Sequence, residues 1–280
     1  MVITRPALYV VGTPIGNLSD LSPRAVEILR EADFIAAEDT RVTRALLTSQ
    51  GIKNQLISYR GHIQRERGAE IVARLKAGEC CALVSDAGMP AISDPGEDLV
   101  RLCAEAGIPV HSVPGPSAFV TALALSGLPT GRFAFEGFLS VSRKSRTDRL
   151  AEIKDERRTL LFYEAPHKLR RTLRDFLATF GDRRIAICRE LTKLHEEVLR
   201  LTLSEAVEYY KAREPLGEYV LVVEGAPEPE ETPQLTPERA AEVVAKYREQ
   251  GLSKNECLRR AAEETGLPRN ELYKLLLEEK

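Results

Sequence analysis

The chain has 280 residues, of which 29% are charged and 43% hydrophobic, and its formal net charge is −2. That balance excludes a disordered chain, and no apolar run nears the roughly 20 residues that a bilayer crossing needs. With so small a net charge, any binding of nucleic acid has to come from local basic patches.

Five cysteines with no C-x-x-C pair, and four histidines with no clustered spacing, predict neither a disulfide framework nor a protein-bound metal. The start, "MVITRPALYVVG", lacks a secretory apolar region and cleavage site, and reads as that of a cytoplasmic protein.

From Ala7 onward, apolar runs alternate with helical patterns. "ALYVVG", "FIAAED", "QLISY", "CCALVSD" and "IPVHSVPG" read as strands, with helices such as "SPRAVEILREA", "TRVTRALLTSQG" and "RGAEIVARLKAG" between them. Ser22 can cap a helix that has Pro23 in its first turn, and Gly51, Gly78 and Gly107 follow helix ends. Runs that stay apolar predict a mainly parallel sheet covered on both faces, hence an α/β domain over 1–127. The glycines and proline of "LSGLPTGRFAFEGFL" suggest a boundary near Gly127–Arg132. A second α/β domain with a mixed sheet is then expected over 128–225, from "RTLLFYEAP", "HKLRRTLRDFLATFG", "RRIAICREL", "HEEVLRLTL" and "GEYVLVVEG". "APEPEETPQLTPE" gives a Pro/Glu linker over 226–237. The tail, 238–280, reads helix, Gly-Leu turn, helix, with Leu258, Ala262, Leu267, Leu272 and Leu275 as its apolar positions.

Three turns stand out. "VGTPIG" joins the first strand to its helix, but Gly12 and Gly16 are spaced G-x-x-x-G with Pro14 between them. A dinucleotide site needs G-x-G-x-x-G and its backbone donors, so this turn is a poor pyrophosphate cradle, although Glu38 and Asp39 end the second strand where a ribose-binding acid would sit. No G-K-[ST] follows, which excludes a P-loop. "SDAGMPAISDPGEDL" (Ser85–Leu99) follows the most apolar strand, at the edge where open α/β sheets bind ligands. Asp86 supplies an acceptor there, and Asp94 reads as the start of the next helix. "VPGPSAFVTAL" places Ser117 as a helix cap or as a ligand contact.

These turns, with "AEDTRVTRALL", "FYEAPHKL", "RELTKLHEE" and "GEYVLVVEG", resemble the ribosomal RNA small subunit methyltransferase I family, part of the tetrapyrrole methylase superfamily. The resemblance runs from about Leu8 to Gly225. It implies S-adenosylmethionine held in the cleft between two α/β domains, a homodimer, and methylation of a cytidine 2′-hydroxyl in the decoding region of 16S rRNA, within the 30S subunit. By motif it places Ile15, Asp86, Met89, Ser117, Ala118, Tyr163 and Arg189 at the cofactor. Tyr163 could equally be an aromatic at a strand end, and Arg189 a structural ion pair with Glu190 or Glu164.

A ribose hydroxyl is a weak acid, so Glu38 and Asp39 are candidate general bases. Asp39 could instead cap the helix that begins near Thr40, and alignment without a base is a further possibility. Arg41 is placed for a phosphate. "SYRGHIQRER" departs from the family's H-N-E triplet at Ile63 and Gln64, leaving Arg60, His62, Arg65 and Arg67 as a basic surface. "SVSRKSRTDR" adds Arg143, Lys144, Arg146 and Arg149 on what reads as a polar loop suited to backbone phosphates. The rival functions are a tetrapyrrole methyltransferase and a non-catalytic nucleic-acid-binding regulator built around the tail.

Overall fold

The computed structural model describes residues 3–61, 64–228, 237–265 and 267–278, in a body that ends at Ala226 and a tail that begins at Pro227. Strands β1 (Ala7–Val11), β2 (Phe34–Ala37), β3 (Leu56–Ser58), β4 (Cys80–Val84) and β5 (Val110–Val113) form an all-parallel sheet in the order β3-β2-β4-β1-β5. Ala7, Tyr9 and Val11 face a core shared with α1 (Pro23–Glu31) and α2 (Thr40–Ser49). Leu8 and Val10 face the opposite core, with α3 (Gln64–Lys76) and α4 (Glu97–Glu105). Period-two alternation in a strand buried on both sides therefore yields an uninterrupted apolar run, as the sequence predicts. Fully buried side chains such as Leu8, Phe34 and Leu83 each contribute about 1.5–3 kcal/mol.

Local signals set several helix ends. Ser22 Oγ accepts from the Ala25 N–H at 3.1 Å, with Pro23 at the first helical position. Helix α4 departs from expectation: its cap is Gly96, at φ 138°, and Asp94 lies outside the helix.

The crossovers from β1 and β4 run in opposite directions across the sheet and cover opposite faces, so a crevice opens at the carboxyl ends of these central strands. There the three turns meet. Thr13 N–H donates to Gly88 O at 2.9 Å and Gly88 N–H returns a bond to Thr13 O at 3.1 Å. A Cβ on Gly12 would lie 2.6 Å from Gly115 Cα and 2.8 Å from Met89 Sδ. The glycine is required because backbone meets backbone.

The second sheet comprises β6 (Phe133–Phe138), β7 (Thr159–Glu164), β8 (Arg184–Arg189), β9 (Glu197–Thr202) and β10 (Tyr219–Val223) in the order β6-β7-β10-β8-β9. Only β6 and β7 are parallel, so the sheet is mixed. Helices α6 (Arg143–Glu152), α7 (Pro166–Phe180) and α8 (Leu203–Tyr209) cover one face, and α5 (Ala118–Ser126) packs on the other. Because α5 belongs to this sheet, the chain crosses between the two halves at the Pro114–Ser117 turn, ahead of the 127/128 division that the glycines suggest. β6 is a strand where the sequence reads only a glycine-rich boundary; its register shifts between Phe135 and Gly137, which has φ 62°.

The stretch read as a polar basic loop is helix α6. Arg146 and Leu150, one turn apart, form its buried side. Arg146 is 4% exposed: its Nε donates to Asp175 Oδ2 at 2.6 Å and its Nη2 to Thr172 Oγ1 at 2.8 Å. It is therefore structural and unable to reach RNA. Arg143, Lys144 and Arg149 are exposed, and of these Arg149 pairs with Glu136 at 2.7 Å and Glu152 at 3.0 Å.

The tail contains α9 (Pro237–Glu249), α10 (Lys254–Thr265) and α11 (Arg269–Glu278) around Val244, Cys257, Leu258, Ala261 and Leu272. It is thus a three-helix cluster, with α9 adding Val244 to the apolar positions read from the sequence; Ala262 and Leu267 pack at its edge, and the Leu275 side chain lies outside the described residues. Residues 229–236 of the linker also lie outside them.

Two stability measurements follow from this packing. Gly12→Ala is expected to lower the urea unfolding free energy by about 1–3 kcal/mol, the cost of overpacking. Gly131→Ala, whose Cβ would open onto space, is expected to change it by less than about 0.5 kcal/mol. Arg146→Ala, which strips a buried partner from Asp175 and Thr172, is expected to cost about 3 kcal/mol. The double substitution Arg143→Ala with Lys144→Ala should stay within about 1 kcal/mol of the parent.

Candidate active site

A cavity of about 500 Å³ lies between the carboxyl edge of the first sheet and the α5 face of the second, within the roughly 300–1,000 Å³ usual for small-molecule sites. Ile15, Asp86, Met89, Ser117, Ala118 and Tyr163 are all on its walls. The "GTPIG" turn closes one side. Gly12 fits against Gly115, and a Cβ on Gly16 would come 2.5 Å from Lys193 Cγ and 2.8 Å from Thr192 Oγ1 in the loop after β8. Both glycines serve close approach, one toward each half of the body, and Ile15 between them packs on the second half's core.

Arg189 is not on the wall. Successive residues of β8 alternate faces, so Ala186 and Cys188 look toward the cavity side while Ile185 and Ile187 look toward α7. By that parity Arg189 turns away. Its Nε lies 3.2 Å from Glu197 Oε2 without forming a hydrogen bond, so the partner is neither Glu190 nor Glu164. Cys188 takes the wall position instead, and burial pushes its thiol up to about 12, leaving it inert. Tyr163 has the inward parity. Its ring lies 5.0 Å from Phe135 and 5.3 Å from Phe138, and burial raises its phenol above the usual range.

The acids separate into distinct environments. Asp39 accepts from the Arg41 backbone N–H at 2.8 Å and from its guanidinium at 2.6 and 3.0 Å, with Arg60 3.9 Å away. These donors hold its carboxyl far below the usual range, and Asp39 does not line the cavity. It is the cap of α2 and a poor proton acceptor, which removes it as a general base. Glu38 does line the cavity, and burial lifts its carboxyl against the opposing bond from Asp86 N–H to Oε2 at 3.2 Å. Asp86 Oδ1 in turn accepts from Asp39 N–H at 3.0 Å, tying the ends of β2 and β4 together.

Asp94, read from the sequence only as a helix start, also faces the cavity, where burial and then the neighbouring Glu38 charge push it up to about 6. Ser117 precedes α5, but its hydroxyl makes no capping bond. Phe138, His167 and Lys193 are also on the wall, among other residues that the sequence did not single out. His167 had a signal, since "EAPH" puts it at the first turn of the helix after β7; Phe138 sits on the unrecognised strand. Among the described residues no three His, Cys, Asp or Glu side chains converge to hold a metal ion.

Outside the cavity, Arg41 and Arg44 line a more open depression along α2 with Thr40, Thr48 and Ser49. Arg60 lies nearby through Asp39, and Arg67 pairs with Glu70 at 2.5 Å. His62 and the Arg65 side chain lie outside the described residues.

The family model for tetrapyrrole (corrin/porphyrin) methylases matches residues 7–207. A ribosomal RNA small subunit methyltransferase I from Synechocystis sp. is 47% identical over 97% of each chain. The Thermotoga maritima protein of the same name is 49% identical over 218 residues, 78% of this chain and 98% of its own. Among solved structures, a uroporphyrin-III C-methyltransferase from Thermus thermophilus complexed with S-adenyl homocysteine superposes with a TM-score of 0.53 at 20% identity, covering 77% of this chain and 96% of that one. That likeness shows a shared fold. A turn built for backbone approach, a cavity between two α/β halves and these matches agree: the chain belongs to the tetrapyrrole methylase family and, within it, to the ribosomal RNA small subunit methyltransferase I proteins.

Proposed function

We propose that this chain methylates the ribose 2′-hydroxyl of a cytidine in the decoding region of 16S rRNA, using S-adenosylmethionine, in the cytoplasm and as a homodimer acting on the 30S subunit. The observation that carries the reading is identity near half over almost the whole chain to proteins named for small-subunit rRNA methylation. The cavity's chemistry supports the cofactor. Glu38, Asp86 and Asp94 give one wall an acidic character that suits a sulfonium cation, while the facing Lys193 is already engaged by Glu190 and Glu218 at 2.9 and 2.7 Å. Met89, Ala118 and Phe119 add apolar surface, and the uncommitted Ser117 hydroxyl adds a hydrogen-bonding group.

Bound there, S-adenosylmethionine supplies an activated methyl group. The chain's task is then to hold the donor and to present the ribose oxygen in line, about 3–3.5 Å away.

Charge is divided accordingly. Acids line the inside of the β2–α2 junction, and Arg41, Arg44 and Arg60 stand outside it, where RNA phosphates can be met. Exposed Phe138 and Ile92 at the cavity offer apolar surface for a base. The dimer reading rests on α5, whose sequence "AFVTALALS" is apolar all round. One side packs on the second sheet, yet Val120 is 50% exposed.

Purified protein with labelled S-adenosylmethionine should place one methyl group on one cytidine ribose when given 30S subunits lacking the modification. No incorporation into subunits or naked rRNA, or methylation of a tetrapyrrole instead, would refute the assignment. Light scattering of the same preparation should give the mass of two chains, and the mass of one would contradict the dimer. Arg41→Glu with Arg44→Glu should flatten the dependence of log affinity for rRNA on log salt by about 0.7 for each phosphate left unneutralised; Arg143→Glu with Lys144→Glu should do the same. An unchanged slope would take those pairs off the RNA path.

A further inference from the structure

We propose that Phe138 is the platform on which the base of the target nucleotide stacks while its ribose hydroxyl is methylated. This deepens the methyl-transfer reading and rests on it. The first observation is a register shift. In β7, Leu160 and Phe162 face the α7 side of the sheet, and Leu161 and Tyr163 face the cavity side. Phe135 of β6 lies opposite Leu161, so an unshifted pairing would set Phe138 opposite Glu164, on the α7 side, where Thr172 Oγ1 donates to Glu164 Oε2. The bulge adds one residue to β6, and Phe138 lies opposite Tyr163 instead. Its ring is accordingly on the cavity wall, 5.3 Å from that of Tyr163.

The bulge is held from both sides. Arg149 Nε of α6 donates to Glu136 Oε2 at 2.8 Å, which anchors the inserted residue toward the helix. Gly137 takes φ 62°, and a Cβ there would come 3.1 Å from Ser93 Oγ in the connection from β4 to α4. In that connection Ala91 and Ser93 are left-handed as well, at φ 68° and 63°, and Ile92 between them stands on the same wall. Two strained backbone segments, one from each half, thus meet beside the cavity and present Phe138 and Ile92.

Neither side chain is there for the core. Phe138 is 59% and Ile92 46% exposed, although both line the cavity. Backbone strain that turns apolar surface to solvent adds nothing to the stability of the fold. A ligand that covers that surface accounts for it.

The reaction names the occupant. The ribose carbon that bears the 2′-hydroxyl adjoins the carbon that bears the base, so bringing that oxygen to the methyl group brings the base to the mouth of the same cavity. Unpaired bases of RNA are held by stacking on aromatic rings, whatever holds their phosphates. Here Arg41, Arg44 and Arg60 stand outside the cavity for the phosphates, and Phe138 is the exposed ring at its wall. Stacking neutralises no phosphate, so the two contributions differ in their response to salt. The donor also carries a flat ring, its adenine, and donor binding measured by itself distinguishes the two.

The test compares Phe138→Ala, Phe138→Leu, Phe138→Tyr and Val141→Ala on 30S subunits, with S-adenosylmethionine affinity measured separately by calorimetry. Phe138→Ala should lower kcat/KM for 30S subunits by roughly 5- to 100-fold, the worth of one base–aromatic stack, while donor affinity holds. Phe138→Tyr keeps the ring and should restore most of the loss. Phe138→Leu keeps apolar bulk without the ring and should not. Val141→Ala, which trims a more exposed side chain that is not on the wall, should leave kcat/KM unchanged. Binding of Phe138→Ala to 30S subunits should be weaker than the parent's at every salt concentration, with the same slope of log affinity on log salt.

The proposal fails if Phe138→Ala keeps the parental kcat/KM, if its donor affinity falls as far as its activity, or if Phe138→Leu performs as well as Phe138→Tyr. A flattened salt slope in Phe138→Ala, or an equal loss in Val141→Ala, would also overturn it. Wild-type protein inert toward 30S subunits while it still binds the donor would strike the functional reading itself, and the proposal with it. A deficit confined to the Phe138 variants bears on the base platform alone.

Discussion

The site depends on backbone pressed against backbone where three parallel strands end. Gly12 and Gly115 approach so closely that neither tolerates a Cβ, and beside them Thr13 and Gly88 exchange two hydrogen bonds. This packing fixes the turns after β1, β4 and β5 as one unit. Only because they are locked together can Ile15, the Asp86–Met89 segment and Ser117 share a cavity wall. Gly16 extends the same logic to the second half, where the loop after β8 comes down onto the first turn. The G-x-x-x-G spacing, useless for a pyrophosphate, suits a hub that touches two bodies.

Charge is then organised around that hub. Tying β2 to β4 through Asp86 and its reciprocal bonds with Glu38 and Asp39 directs two neighbouring acids to opposite uses. Asp39 is neutralised by Arg41 on the outside, where cations are wanted for RNA. Glu38 stays inside, where its negative charge suits a sulfonium and raises the proton affinity of Asp94. Residues adjacent in sequence thus serve different partners because one sits at a helix cap and the other on a cavity wall.

Much of the first sheet was legible because its signals are local: apolar runs buried on both faces, a Ser-Pro helix start, glycines at helix ends. The second sheet was less so. β6 hides behind glycines that make a bulge rather than a boundary, and α6 looks like a solvated loop until Asp175 and Thr172 are found waiting for Arg146. Arg189 shows how narrow the margin is in a strand: one residue of parity separates it from Cys188, which holds the wall position. Asp94 was visible, but its Asp-Pro-Gly setting resembles an ordinary helix start, and only the Gly96 cap and the cavity lining show that it stands on the wall instead.

The claim on which the rest turns is that one donor molecule touches both halves of the body at once. Hydrogen exchange of the full-length protein with and without S-adenosylmethionine measures this directly. Protection should rise together in the turns after β1, β4 and β5 and at the β7–α7 junction of the second half. Protection confined to one half, or none at saturating donor, would contradict it.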